Sequence, residues 1–479
     1  MRILICSSEA VPFAKTGGLA DVAGALPKAL SALGHDVRLA VPKYASAYKD
    51  RIRGRNVATV QVPLGKVTLR VAIQESKRGG DFPAYLVVSD KHFRRDSLYG
   101  YPDDAERFIV FQRAIIELLR TGDWLPDVIH CNDWQTGLIP VYLRTVYAQD
   151  PRLGRVSVAY TVHNLAYQGE FAPETMELAG LPAGLFNMNQ LEFWGKMNFM
   201  KGGLVFAEVL NTVSPSYSCE IQTLEFGAGL DGVLRGKKDV LFGILNGIDL
   251  DEWNPATDKY IRAHYDAGSR AKKPENKPSL QKAVNLPQRD VPVFGMVSRL
   301  AAQKGLDILI EALPQIFENE VQIVILGSGD PEYHQALKQA QKKWPGKLHA
   351  EVGVFSEPLA RLIYAGSDFF LMPSHYEPCG LGQMNSMRYG TIPIARATGG
   401  LADTVFEFDP ATGRGNGVVF SEYSASAFSD AVERALVVRS QPAAWDRLMA
   451  NAMAEDFSWR RSAERYLELY QRALLLRAG

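Results

Sequence analysis

Lys15-Thr16-Gly17-Gly18-Leu19-Ala20-Asp21 follows an apolar run, Ile3-Leu4-Ile5-Cys6, and leads into an amphipathic one. Six of its residues return without a gap as Thr398-Gly399-Gly400-Leu401-Ala402-Asp403, behind Ala397 instead of a lysine. Residues 2–8 read as a buried parallel strand, short, apolar and ended by serines. Val22, Leu26, Leu30 and Leu33 then fall at helical spacing, Gly34 supplies a stop, and residues 36–42 form a second strand. That is a β-loop-α-β unit, the seed of a doubly wound sheet. The repeat predicts two similar halves that each offer a glycine turn to one cleft.

The alternation continues on both sides of the middle. Strands are expected at 84–88, 127–131, 157–162 and 209–213, with a helix over 105–119. Residues 50–82 alternate differently, which suggests an antiparallel excursion. Residues 171–204, rich in Met, Phe and Gly, read as a helical insertion at the cleft mouth. A further strand is expected over 241–249. The polar stretch 254–289, with a basic proline-containing middle, reads as the inter-domain connection. Strands at 293–297, 322–326, 350–352, 369–372 and 392–395, with a helix over 306–317, repeat the pattern. A helical tail spans 459–476. The fold class is therefore α/β: two doubly wound, Rossmann-like domains facing a deep cleft, over 1–240 and 241–456, followed by a terminal helix over 457–479.

Bulk properties narrow the function classes. The 479 residues carry 47% hydrophobic and 22% charged side chains with formal net charge +0. Neutrality gives no electrostatic case for nucleic acid or an anionic membrane. Cys6, Cys131, Cys219 and Cys379 are scattered, without metal-ligand spacing, so no metal site is expected. The chain opens on a strand, has no apolar leader, and contains no run long enough to span a bilayer, which predicts a cytoplasmic protein.

Chemistry-bearing residues cluster just after strands. Gly17 and Gly18 allow close backbone approach at a helix start, and Lys15 adds charge, which suits a diphosphate. The plain alternative is a structural turn; the run is neither a Walker A loop nor a GxGxxG fingerprint. Arg299 and Lys304, in Ser298-Arg299-Leu300-Ala301-Ala302-Gln303-Lys304-Gly305, could clamp a diphosphate leaving group, or be a solvated pair. In Pro373-Ser374-His375-Tyr376-Glu377-Pro378-Cys379-Gly380-Leu381-Gly382, Glu377 sits at a loop tip before a helix whose amides could hold phosphate. Its alternative is a helix-start carboxylate. His163 ends a strand, a place where a lone histidine is more often structural. Asp133 and Trp134 end another, either as a sugar-stacking pair or as a carboxylate beside a core tryptophan.

These stretches, with Leu245-Asn246-Gly247-Ile248-Asp249 and Thr161-Val162-His163-Asn164, resemble bacterial glycogen synthase and plant starch synthase in order and spacing over nearly the whole chain. The resemblance implies the GT-B architecture. It also implies retaining transfer of glucose from ADP-glucose to the non-reducing end of an α-1,4-glucan such as glycogen, without a cofactor or metal. Glu377, His163, Arg299, Lys304 and Asp133 would serve the chemistry. Lys15, Gly17, Gly18, Asp21, Asn246, Phe355, Cys379, Gly380, Leu381 and Gly382 would bind the nucleotide sugar. Trp134 and Asn164 would lie on the acceptor side. The terminal helix would return to the N-terminal domain. The resemblance further implies front-face attack, the acceptor proton passing to the departing phosphate, since no paired carboxylates of the glycosidase kind stand out. Two positions depart from the family pattern: Gly382 replaces a side chain that is often polar, and Phe355 replaces a common tyrosine. Other readings are a sucrose-type GT-B enzyme, a phosphorylase, which needs a pyridoxal phosphate lysine, and a non-catalytic sugar sensor.

Overall fold

A computed structural model describes residues 1–80 and 82–478, and the chain divides into two compact units, Met1–Gly247 with Trp459–Gly479, and Ile248–Ser458. The Gly479 end of the expected terminal segment lies outside the described residues. Among the described residues, no helix is long and apolar enough to cross a membrane.

The first unit is built on a nine-stranded sheet. Its strands are β1 (Arg2–Cys6), β2 (Asp36–Pro42), β3 (Arg55–Leu64), β4 (Val67–Ser76), β5 (Ala84–Val88), β6 (Val128–Asn132), β7 (Ser157–Val162), β11 (Val209–Thr212) and β12 (Leu241–Gly243). The order is β12-β11-β7-β6-β1-β2-β5-β4-β3, and every strand runs the same way except β4, which is antiparallel to both its neighbours, β5 and β3. β1 past Arg2 and all of β6 are buried on both faces, and β6 carries His130 and Asn132 inside that core. Chain order reverses direction between β1 and β6, and the ends of those strands form the switch point where α/β sheets bind ligands.

Two expectations are corrected here. Residues 171–204 are not a helical insertion. They hold a separate antiparallel sheet, β8 (Glu170–Phe171), β9 (Glu192–Phe193) and β10 (Lys196–Asn198), in the order β8-β10-β9, with short helices around it. The boundary falls after Gly247 rather than 240, because β12 pairs with β11 and completes the first sheet.

The C-terminal helix, Trp459–Ala478, belongs to the first unit. Trp459, Tyr466, Leu469 and Tyr470 pack with Leu26 and Leu30 of helix Gly18–Ala32 and with Ile3 and Ile5 of β1. The Tyr470 hydroxyl meets His130 Nδ1 at 2.8 Å, and Asn211 Nδ2 donates to the Tyr466 hydroxyl at 3.1 Å.

The second unit has six parallel strands: β13 (Val293–Leu300), β14 (Gln322–Gly329), β15 (Leu348–Val352), β16 (Phe369–Met372), β17 (Ile392–Arg396) and β18 (Val418–Phe420). Their order, β15-β14-β13-β16-β17-β18, puts this unit's switch point between β13 and β16. The stretch 254–289 is not a linker; it folds into this unit. Ile261, Tyr265, Leu280 and Val284 join its core. Lys273 is buried, with Nζ donating to the carbonyls of Ala365 (2.7 Å) and Ser367 (2.8 Å) and to Thr391 Oγ1 (2.8 Å). Burial pulls that ammonium down to about 7.

Candidate functional site

In the first unit the end of β1 carries a residue that sequence reasoning passed over. Glu9, 4% exposed, turns its carboxylate under the Lys15–Gly18 loop. It accepts from the Thr16 amide (2.5 Å), the Gly17 amide (3.3 Å), Thr16 Oγ1 (3.0 Å) and the Tyr99 hydroxyl (3.2 Å). Burial nevertheless keeps its carboxyl above the ordinary range, the donors pulling the other way. The signal available was an acidic residue directly after a buried strand at the switch point.

The Gly17 amide therefore has a partner inside the protein. The space in front of Gly17 is open: an added Cβ would meet nothing within 4 Å, and its φ of −154° is ordinary extended backbone. Neither packing nor conformation requires a glycine there. Gly18 is the first residue of the helix, and Lys15 Nζ pairs with Asp21 Oδ1 at 2.7 Å on the surface.

At the ends of β6 and β7, Asp133 adopts a left-handed φ of 56°. Its amide donates to Thr161 O at 2.9 Å. Its carboxylate accepts the amides of His163 (2.7 Å) and Asn164. Burial outweighs those bonds and pushes the carboxyl up to about 7. Asn132 Nδ2 donates to Cys6 O at 3.0 Å, so Asn132 Oδ1 faces His163 Nε2 at 2.8 Å. Nε2 then carries the proton and Nδ1 remains an acceptor. Burial lowers His163 to about 3, so the imidazole is neutral near pH 7.

Trp134 is not an exposed stacking platform. It is 9% exposed, its ring packs edge-on to Phe108 with centroids 4.9 Å apart, and it lies against Phe171 and Gly169. Asn246, near the end of this unit's first segment, is buried, and its Oδ1 has no hydrogen-bond partner in the protein. Such an atom calls for a ligand or a water.

In the second unit the exits of β13 and β16 meet. Lys304 Nζ lies 2.5 Å from Glu377 Oε2, with side chains only 16% and 6% exposed. Ser374 Oγ donates to the same oxygen at 3.2 Å. Gln303 locks the two loops together: its carbonyl accepts the His375 amide (2.9 Å) and its Nε2 donates to Tyr376 O (3.2 Å). Arg299, exposed at the end of β13, reaches Gln303 Oε1 at 3.4 Å. Ser374 and Gln303 lie inside the two sequence motifs, where neither residue type nor spacing marks them as functional.

The second Thr-Gly-Gly copy braces this loop. Gly400 donates its amide to Glu377 O at 2.9 Å, and a Cβ there would lie 2.2 Å from Cys379 O. Gly380 has φ +75°, and Gln383 Nε2 bonds the carbonyls of Cys379 (2.9 Å) and Gly380 (3.1 Å). Leu381 precedes helix Gly382–Arg388, and a Cβ on Gly382 would meet the Phe370 ring at 2.9 Å. Phe355 stands 57% exposed in the loop after β15. Among the described residues, no group of His, Cys, Asp and Glu could hold a metal ion.

Residues 2–236 match the family described as starch synthase catalytic domain, and residues 279–448 match glycosyl transferases group 1. The chain is 47% identical to a glycogen synthase of Desulforudis audaxviator, over 99% of this chain and 97% of that one. It is 48% identical to one from Thermosipho africanus, over 99% of both. Its fold matches the catalytic domain of starch synthase IV from Arabidopsis thaliana, solved with ADP and acarbose, at TM-score 0.90 and 35% identity over 99% of each chain. A sucrose-phosphate synthase from Thermosynechococcus elongatus shares the fold at TM-score 0.61 and 20% identity.

Proposed function

The chain belongs to the glycogen synthase and starch synthase family of GT-B glycosyltransferases, and from that premise we propose that it extends an α-1,4-glucan with glucose from ADP-glucose, retaining the α configuration. The observation that carries the reading is the nearly buried Lys304–Glu377 pair beside Arg299 at a switch point. A preorganised cation there suits a diphosphate leaving group, and its carboxylate partner suits sugar hydroxyls. The ADP in the plant neighbour's structure favours the adenine nucleotide.

In the proposed step the bond between glucose C1 and the β-phosphate oxygen breaks, and the acceptor 4-hydroxyl forms a new bond to C1 on the same face. Its proton passes to the departing ADP. Arg299 and Lys304 offset the developing phosphate charge. Lys15, the Gly17–Gly18 backbone and Asp21 contribute at the phosphates and nucleotide, as do the backbone of Cys379, Gly380, Leu381 and Gly382. Phe355 offers a stacking face for the base. Glu377, His163 through its free Nδ1, and the unpartnered Asn246 oxygen take glucose hydroxyls. Asp133 and Asn164 serve the acceptor side. Glu9 and Gln303 are positioning residues, holding the Thr16-Gly17 turn and the Glu377 loop.

The test is glucose incorporation into glycogen, measured side by side with ADP-glucose and UDP-glucose. The expected outcome is faster transfer from ADP-glucose into a product that an α-1,4-specific glucosidase removes completely. No incorporation from either donor, or a β-linked product, overturns the reading.

A further inference from the structure

Trp194 breaks two rules at once. It is 82% exposed, and it occupies a left-handed backbone position, φ 51°. Strand β9 ends at Phe193 and β10 begins at Lys196, so Trp194 and Gly195 are the two residues of a tight hairpin turn. Gly195 has φ 78°, and positive φ at both positions matches a type I′ turn, whose preferred residues are Asn-Gly. A bulky side chain at positive φ is an outlier, and no burial offsets it here. The position suits the fold poorly, so its use is to be sought in what the ring can bind.

The hairpin under the ring is firmly held. Lys201, buried, donates Nζ to the carbonyls of Met188 and Glu192, both at 2.6 Å. Glu192 Oε1 accepts the Gly195 amide at 2.7 Å. Phe193 and the indole meet in a T-shaped contact with centroids 6.2 Å apart, and Gly229 lies close to Nε1, yet most of the side chain stays open to solvent.

The other end of this small sheet is anchored beside Asp133. Trp134 packs on Phe171 of β8, β8 pairs with β10, and β10 pairs with β9. At ordinary strand spacing, β9 lies about 10 Å across the sheet from β8. The buried tryptophan thus carries a platform that presents an exposed one.

We infer that Trp194 forms an outer subsite for the α-glucan acceptor, stacking on a glucose ring beyond the one that reacts. This inference rests on the proposed glucan acceptor and adds where a longer chain is gripped. A flat, exposed indole on a rigid turn is the chemistry that recognises the apolar face of a pyranose.

The experiment compares wild type with Trp194→Ala, Trp194→Asn and Trp194→Tyr. Glucan affinity is read by retardation in glycogen-containing native gels and by maltoheptaose titration. The Ala and Asn variants are expected to lose about tenfold in affinity for both glucans, with the Tyr variant close to wild type. The ratio of kcat/KM for maltoheptaose over maltotriose should fall in parallel. The Asn variant should melt no lower than wild type, because Asn-Gly suits the turn better. Unchanged glycogen affinity in Trp194→Ala, or a Tyr variant as weak as Ala, overturns the inference. The gel needs no turnover, so a wild type that binds glycogen without transferring glucose refutes the proposed activity alone.

Discussion

Identical sequences, Thr16-Gly17-Gly18 and Thr398-Gly399-Gly400, should respond in opposite ways to one added methyl group. At Gly400 the new Cβ would sit 2.2 Å from Cys379 O and 2.4 Å from Cys379 Cα. Both obstacles are backbone, so no side chain can swing aside, and the Glu377–Cys379 loop must shift. Overpacking of that kind costs about 1–3 kcal/mol. For a unit the size of Ile248–Ser458, about 2 kcal/mol lowers Tm by roughly 4–8 °C. The shift also strains the Gly400 amide bond to Glu377 O, so turnover should fall with stability. At Gly17 an added Cβ meets nothing and the backbone is extended, so the fold should gain about 0.4–1 kcal/mol from reduced unfolded-state entropy. Activity should still drop on the proposed reading, in which the Gly17 backbone contacts the donor and the methyl group would enter that space. Calorimetric melting of Gly17→Ala and Gly400→Ala, with donor KM for each, decides the matter. Equal Tm shifts, or a Gly400→Ala variant that melts like wild type, would refute the division of labour between the two turns.

Lys304→Ala should reduce turnover by roughly 10²–10³. It should also cost about 3 kcal/mol, because Glu377 is left buried and unpaired, whereas Lys304→Met with Glu377→Leu should regain stability without activity, by urea titration and glucose incorporation. Asp133 holds its proton up to about pH 7 when folded and only to about 4 when unfolded, so its contribution to stability falls as pH rises from about 4 to 7. His130 and His163, lowered to about 3, act in the opposite direction below about pH 6.5. The quantity to measure is therefore the difference between wild type and Asp133→Asn at pH 5 and 7. Glu9→Gln should raise donor KM by loosening the Thr16-Gly17 turn, and an unchanged KM would exclude that positioning role. Gly382→Thr should destabilise by about 1–3 kcal/mol through the Phe370 ring, and Phe370→Leu should restore most of that loss in the double variant.

The strands and helices that build both sheets were legible because burial imposes a period on them. The helix expected from Leu19 is observed as Gly18–Ala32, and the apolar runs at 322–326 and 392–395 lie inside observed strands. Misreadings arose where a polar residue is buried or an apolar one exposed. Lys273 and Lys277 looked like a solvated linker, yet Lys273 caps backbone carbonyls inside the second unit and Lys277 pairs with Asp368 at 2.7 Å. Trp134, left open between a stacking face and a core ring, is buried, while Trp194, to which the sequence assigned nothing, is exposed; which indole faces solvent depends on a three-stranded sheet whose strands are too short to show a period. Glu9 was invisible for a related reason. Its partners lie seven and eight residues ahead, and only the folded loop brings them back to it.

The charged groups of the two units differ in how they would meet an anion. Lys15 and Asp21 form a surface pair, which contributes little to stability and is readily exchanged for another partner. Lys304 is held by a nearly buried carboxylate, and releasing it would leave Glu377 uncompensated. An ammonium has three donors, however, and Glu377 uses one. A phosphate can therefore be added to Lys304 without breaking the pair, and in the proposed mechanism the cation would already be oriented when charge develops on the leaving group. With the proposed roles, salt should weaken donor capture through Lys15 more than it weakens catalysis through Lys304, since exposed charges are screened and buried ones much less so. On this reasoning donor KM rises with ionic strength while kcat changes little, and a kcat that falls in step with KM would show that Lys304 is no better protected than Lys15.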